Sequence, residues 1–179
     1  CRAQEELPAG LAPLISPAAP GRLAGLVLCL DPLPAGCARS PAAADLVCAA
    51  ALYLERLLRE AGAVTALTRF GPSGGEEGRL LAEAAGARLL LELSWCARPE
   101  EQSVVRPDRS PDDALARLEG GLAAACAAGL GCRPTGIGAI APASIPALRV
   151  QIAPQPGPGA GERPHRIPAQ ALFHALLAW

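Results

Sequence analysis

Apolar residues along this chain alternate between a compact strand-like rhythm and a longer helical one. Leu26-Val27-Leu28-Cys29-Leu30 is a short, nearly all-apolar run, the pattern of a strand covered on both faces. It gives way at Asp31-Pro32 to a Pro/Gly loop that reaches Gly36. Ser40-Pro41 then marks a helix start, with an N-capping hydroxyl and a proline where a missing N–H costs nothing. Leu46, Val47, Ala50, Tyr53, Leu54, Leu57, Leu58 and Ala61 form one helical stripe. Glu55 and Arg59 pair on the other face at i,i+4 spacing, and Gly62 stops the helix. Residues 64–68 read as a second strand, about 76–85 as a short helix after a Gly-rich turn, and 88–93 as a third strand. Residues 97–110 are a polar, Pro-containing insertion. Ser110-Pro111-Asp112-Asp113 opens another helix, with two acids in the first turn where they complement the dipole, carrying Leu115, Leu118 and Leu122. Strands at roughly 137–141 and at 147–153 follow, then a Pro/Gly loop, and Pro168 opens a last helix with Leu172, Phe173, Leu176, Leu177 and Trp179.

Strand–helix alternation of this kind predicts an α/β fold in three layers, a mostly parallel sheet with helices on both faces. Residues 1–21, punctuated by proline and glycine without sustained periodicity, read as a tether, and 22–179 as one domain. A chain of 179 residues is long enough to bury a core of its own. No internal repeat is present.

Charge narrows the partners. A formal net charge of −1 gives no electrostatic footprint for nucleic acid and no basic patch for anionic lipid. Every basic residue among the Lys+Arg total is arginine, and aromatic residues are only 3% of the chain, so stacking platforms for bases or sugars are scarce. No apolar run approaches the ~20 residues of a membrane span. Seven cysteines are many for a reducing cytosol and point to an oxidising compartment. Cys1 stands where a mature bacterial lipoprotein carries its lipid, which makes a lipid anchor at Cys1 one expectation; a chain that simply begins there is the other. Cys29, Cys48 and Cys126 sit on apolar stripes, where a free cysteine acts as a small hydrophobe.

In open α/β sheets, ligands bind beyond the carboxyl ends of the strands. The segments there are Asp31-Pro32-Leu33-Pro34-Ala35-Gly36, then Ser94-Trp95-Cys96-Ala97, then Gln151-Ile152-Ala153. The same segments carry a family resemblance. An apolar strand ends in Asp31-Pro32 with Gly36 downstream; a long helix ends at Gly62; a strand closes with Thr68-Arg69. Arg79 and Ala87-Arg88 then lead into Leu89-Leu90-Leu91-Glu92-Leu93-Ser94, and late in the chain comes Ile145-Pro146-Ala147-Leu148-Arg149-Val150-Gln151. This ordered set, spanning residues 25–179, resembles the zinc-dependent N-acetylmuramoyl-L-alanine amidases of bacterial cell walls (the amidase_3 type).

What the resemblance implies is a zinc held by two histidines and a glutamate, with a second glutamate assisting proton transfer. At those positions this chain has Pro34, Ala43, Ser94 and Gln151. Proline and alanine side chains offer no donor atom, a serine hydroxyl is a poor zinc ligand, and glutamine cannot take a proton as a carboxylate does. A shifted register does not restore the ligands, because the only two histidines, His165 and His174, both follow the last strand, where capping or surface roles are the ordinary reading. The expectation is therefore a degenerate member without zinc or other cofactor. It would act by binding peptidoglycan or an envelope protein, and be secreted or held in the cell envelope.

Asp31, Cys37, Trp95 and Cys96 remain as cleft residues around the vacated positions. Cys37 and Cys96 leave three readings open: a metal site with a carboxylate, a disulfide, or free thiols. Two alternatives to a binding domain follow: a hydrolase with a site rebuilt on Cys37, Cys96 or Asp31, and a purely structural partner subunit.

Overall fold

Strand and helix alternate in the order β1 (Val27–Leu33), α1 (Pro41–Glu60), β2 (Val64–Leu67), α2 (Glu76–Ala84), β3 (Leu89–Trp95), β4 (Cys132–Gly138), β5 (Ala147–Ile152) and α3 (Arg166–Leu177). The computed structural model describes residues 21–33, 41–68, 76–95, 120–121, 124, 132–138, 145–152 and 165–178. The expected tether lies outside the described residues up to residue 20. Of the helix expected from Ser110, only Gly120, Gly121 and Ala124 are described, and they are helical.

The five strands form one sheet in the order β2-β1-β3-β5-β4. Pairing is parallel across β2, β1, β3 and β5, and β4 closes the edge antiparallel to β5. Side chains alternate between the two faces. Leu28 and Leu30 of β1, Leu89, Leu91 and Leu93 of β3, and Leu148 and Val150 of β5 pack with residues of α1 and α3. Cys29, Leu90 and Ala147 turn the other way and pack with Ala82 of α2. The nearly unbroken apolar runs in the sequence are thus strands covered on both sides, the three-layer α/β arrangement. The largest fully buried side chains are all leucines, among them Leu54 and Leu58 of α1. Each stabilises the fold by roughly 1.5–3 kcal/mol relative to exposure.

Local chemistry sets the ends of the elements. Gly62 has a φ of 93°, its N–H donates to the Arg59 carbonyl and the Ala63 N–H reaches back to Leu58. Gly86, with a φ of 64°, repeats the same pair of bonds at the end of α2, to Glu83 from itself and to Ala82 from Ala87. Both are Schellman closures, which need a left-handed residue at that point. The last helix begins at Arg166, two residues before the proline expected to open it. Pro168 falls within the first turn, where N–H groups have no intrahelical acceptor, so it costs no bond there.

Two central strands, β1 and β3, run further than the hydrophobic pattern predicts, and β5 ends one residue short of the expected 153. Asp31, Pro32 and Leu33 belong to β1, Ser94 and Trp95 to β3, and Gln151 and Ile152 to β5. Pro32 is tolerated for a geometric reason. The Leu30 carbonyl accepts from Thr68 N, so even-numbered residues of β1 direct their backbone toward β2. The N–H that Pro32 lacks therefore falls beyond the end of β2, and the ladder with β3 continues to Leu33↔Ser94. The strand expected at 137–141 is instead β4, displaced toward the N-terminus and irregular between Pro134 and Gly136. Proline and glycine of this kind are admissible on an edge strand with a bulge, and they erase the alternation that marks a strand in sequence. Among the described residues no helix is long and apolar enough to cross a membrane.

Candidate functional site

Face alternation decides which side chains meet. Odd residues of β1, even residues of β3 and odd residues of β5 lie on the α2 side of the sheet, as Cys29, Leu90 and Ala147 show. Asp31, Glu92, Ser94, Arg149 and Gln151 therefore share one face near the carboxyl ends of three adjacent strands. Asp31 is level with Glu92, and Glu92 with Arg149; one rung on, Leu33 is level with Ser94, and Ser94 with Gln151.

The lower rung is charged and almost dry. Asp31 is 4% exposed and Glu92 1%. Burying a carboxylate is costly unless it is paired or hydrogen-bonded, and the two are treated differently. Arg149 Nε and Nη2 close on Glu92 Oε2 at 2.8 and 2.7 Å. That guanidinium is half exposed, so the pair links the buried face to the surface. Asp31 has a lesser set of partners. The Thr68 hydroxyl, itself buried, donates to Asp31 Oδ1. Asp31 Oδ2 lies against Gly78, where a Cβ built on the glycine would stand 2.4 Å from it. Gly78 is the third residue of α2, so the carboxylate sits at the positive end of that helix, which favours its negative charge. Only a residue without a Cβ lets the helix approach this closely.

Among the described residues, three buried acceptor-bearing atoms on this face have no hydrogen-bond partner: Asp31 Oδ2, Glu92 Oε1 and Ser94 Oγ. Native proteins rarely leave such atoms unmatched, and sites of function are where the exceptions collect. Beneath them Cys29 donates its thiol to the Gly78 carbonyl at 3.8 Å. Burial, and then the nearby Asp31 charge, push that thiol up to about 11, so it is neutral at physiological pH and a poor nucleophile. Cys29 and Cys48 are free cysteines, as their apolar positions predict.

The expected site residues divide. Ser94 and Gln151 are brought side by side, and Asp31 joins them one rung below on the neighbouring strand. Pro34, Cys37 and Cys96 lie outside the described residues. Ala43 is placed in the first turn of α1 and Trp95 at the last residue of β3, by backbone alone. Both histidines belong to the opposite layer. His165 meets the Tyr53 ring of α1 edge-on at 6.2 Å, and His174 lies in α3 beside Phe173, its pKa lowered by burial. Among the described residues no group of three or more His, Cys, Asp or Glu side chains is arranged to hold a metal ion. Among the described residues the donors at this edge, two carboxylates with a serine and an amide, are a poor match to zinc's preference for imidazole and thiolate with carboxylate.

Sequence reasoning missed Thr68, Gly78, Glu92 and Arg149. A signal was available for two of them. Glu92 interrupts Leu89-Leu90-Leu91 and Leu93, and Arg149 interrupts Leu148 and Val150. A charge inside a strand covered on both faces requires a partner, and these two are each other's.

No family model matches the sequence, and no curated protein does. Solved structures match over nearly their whole length. The apo form of the N-acetylmuramyl-L-alanine amidase Ami1 from Mycobacterium abscessus superposes with a TM-score of 0.61 at 15% identity, covering 87% of this chain and 98% of that one. The N-acetylmuramoyl-L-alanine amidase AmiC2 of Nostoc punctiforme gives 0.59 at 14%, covering 89% and 97%. The CwlD amidase from Clostridioides difficile, solved in complex with the GerS lipoprotein, gives 0.58 at 13%, covering 85% and 96%. The chain has the fold of the N-acetylmuramoyl-L-alanine amidases, as the motif order in the sequence predicts.

Proposed function

We propose that this is an amidase-fold domain of the bacterial cell envelope that acts by binding peptidoglycan or an envelope protein, without zinc and without hydrolysis. One observation carries the reading. Ser94 and Gln151 are direct neighbours on β3 and β5, on one face, at the end of the sheet where ligands bind in open α/β folds. The resemblance assigns those two positions to a zinc-binding histidine and to the glutamate that assists proton transfer. Their pairing supports the register of the resemblance, and their chemistry supports the loss of the reaction. A serine hydroxyl is a weak ligand for zinc, and a glutamine amide cannot act as general base. The scaffold keeps its core and its strand ends while the chemistry at the tips has changed.

The two kinds of partner draw on different neighbours. Proteins of this fold are named for the N-acetylmuramoyl-L-alanine bond, which supports a peptidoglycan ligand. CwlD was solved with a lipoprotein bound, which supports an envelope protein. The test is co-sedimentation of the purified chain with peptidoglycan sacculi, followed by analysis of the supernatant for released muropeptides. The expected result is chain retained in the pellet and no release. Release of peptide from muramic acid in proportion to the protein added would overturn the reading.

A further inference from the structure

The unmatched atoms on the α2 face define a ligand. From them we infer that this site binds a primary ammonium group, and specifically the free N-terminal ammonium of a cell-wall peptide. Among the described residues, Asp31 Oδ2, Glu92 Oε1 and Ser94 Oγ are each without a hydrogen-bond partner. Their residues are 4%, 1% and 5% exposed. Asp31 and Glu92 are level on adjacent strands, roughly 4.8 Å apart, and Ser94 follows Glu92 on the same face. An ammonium group has three N–H donors and no acceptor, and each of these three oxygens can accept from it, the serine hydroxyl keeping one proton of its own to donate.

Charge selects the same group. Among the described residues two buried carboxylates share this face with one guanidinium, and Arg149 neutralises Glu92 through Oε2. That leaves the Asp31 carboxylate, which among the described residues is supported by the Thr68 hydroxyl and the first turn of α2. A single positive charge balances the site. A divalent cation would overshoot it, beside a guanidinium that already occupies one side. Depth selects the group too. Ser94 is one residue from the end of β3, so a ligand entering over the strand tips meets the hydroxyl first and the carboxylates behind it.

The choice of peptide rests on the proposed cell-wall function; the choice of ammonium does not. Hydrolysis of an amide between muramic acid and L-alanine adds water across the C–N bond. It leaves a carboxylate on the sugar and a protonated amine on the alanine. In intact peptidoglycan that nitrogen is acylated and carries no charge. The site would therefore distinguish peptide that a working amidase has released from peptide still attached.

The experiment is calorimetric titration of the full chain with an alanine-initiated cell-wall peptide, free or N-acetylated at its N-terminus. Methylammonium is followed in parallel by amide chemical shifts of Glu92 and Ser94. The free peptide is expected to bind at least about tenfold more tightly than the acetylated one, the scale of hydrogen bonds to a charged group. Ser94→Ala and Asp31→Asn should each reduce that preference, the serine variant with its fold intact by circular dichroism. Equal binding of the two peptides, as a water molecule filling the site would give, overturns the ammonium site and leaves peptidoglycan binding standing. Methylammonium shifts without peptide binding support the ammonium site and overturn its assignment to the cell wall. No response to either probe overturns the inference entirely.

Discussion

Asp31 shows how one residue ties the chemistry of the site to the stability of the fold. Its carboxylate holds Thr68 with one oxygen and lies against the backbone of Gly78 with the other, joining β1 to the end of β2 and the start of α2. Gly78→Ala would drive a methyl group into Asp31 Oδ2, and overpacking of this kind costs roughly 1–3 kcal/mol. Urea denaturation is expected to show that loss in the wild-type background and to show most of it recovered in Asp31→Ala, where the colliding group is gone. An equal cost in both backgrounds would mean that α2 does not rest on the carboxylate. Glu92, level with Asp31 on the next strand, has a different partner. Its charge is answered by Arg149, whereas Asp31 is held by the Thr68 hydroxyl.

At the scale of elements, α3 carries a prediction of its own. His174 is partly buried in that helix, and burial lowers its pKa below the ordinary 6.5. A histidine kept neutral by the fold takes its proton more readily when unfolded. Its contribution to stability is complete above the unfolded pKa and is lost as pH falls through it toward the lower folded value. His174→Leu should therefore flatten the decline of the melting temperature between about pH 7 and about pH 5 relative to wild type. A parallel decline in both proteins would remove His174 from the account.

Elements also show what was legible beforehand. Strand β1 and helix α1 stand out by their apolar pattern, β3 and β5 by apolar runs that a single charge breaks, and Gly62 and Gly86 close helices in the way their lack of a side chain allows. The strand ends were less legible. Hydrophobicity marks burial, and at Asp31 and Ser94 the strand continues while the side chain turns polar. β4 was misplaced because Pro134 and Gly136 break its alternation, and the pairing that makes it a strand comes from β5. Half the candidate site, Ser94 and Gln151 with Asp31, was readable from the resemblance. The other half, Glu92 with Arg149 and Thr68 with Gly78, arises from pairs 57 residues apart in one case and from helix approach in the other.

For the whole molecule, the fold and the chemistry point in different directions. Solved amidases share the architecture from end to end at 13–15% identity, so the order of strands and helices has been kept while most side chains have changed. The core tolerates such change because it asks only for apolar volume on the covered faces. A catalytic metal asks for particular donors in particular places, and the histidines of this chain are on the far side of the sheet from its polar edge. What that edge has instead is buried acceptors suited to a donor-rich cation.

The most direct measurement is a zinc titration of the purified, metal-stripped chain, read by calorimetry and by elemental analysis after dialysis. The account predicts no stoichiometric zinc. One zinc retained per chain, with peptide released from peptidoglycan in its presence, would contradict it.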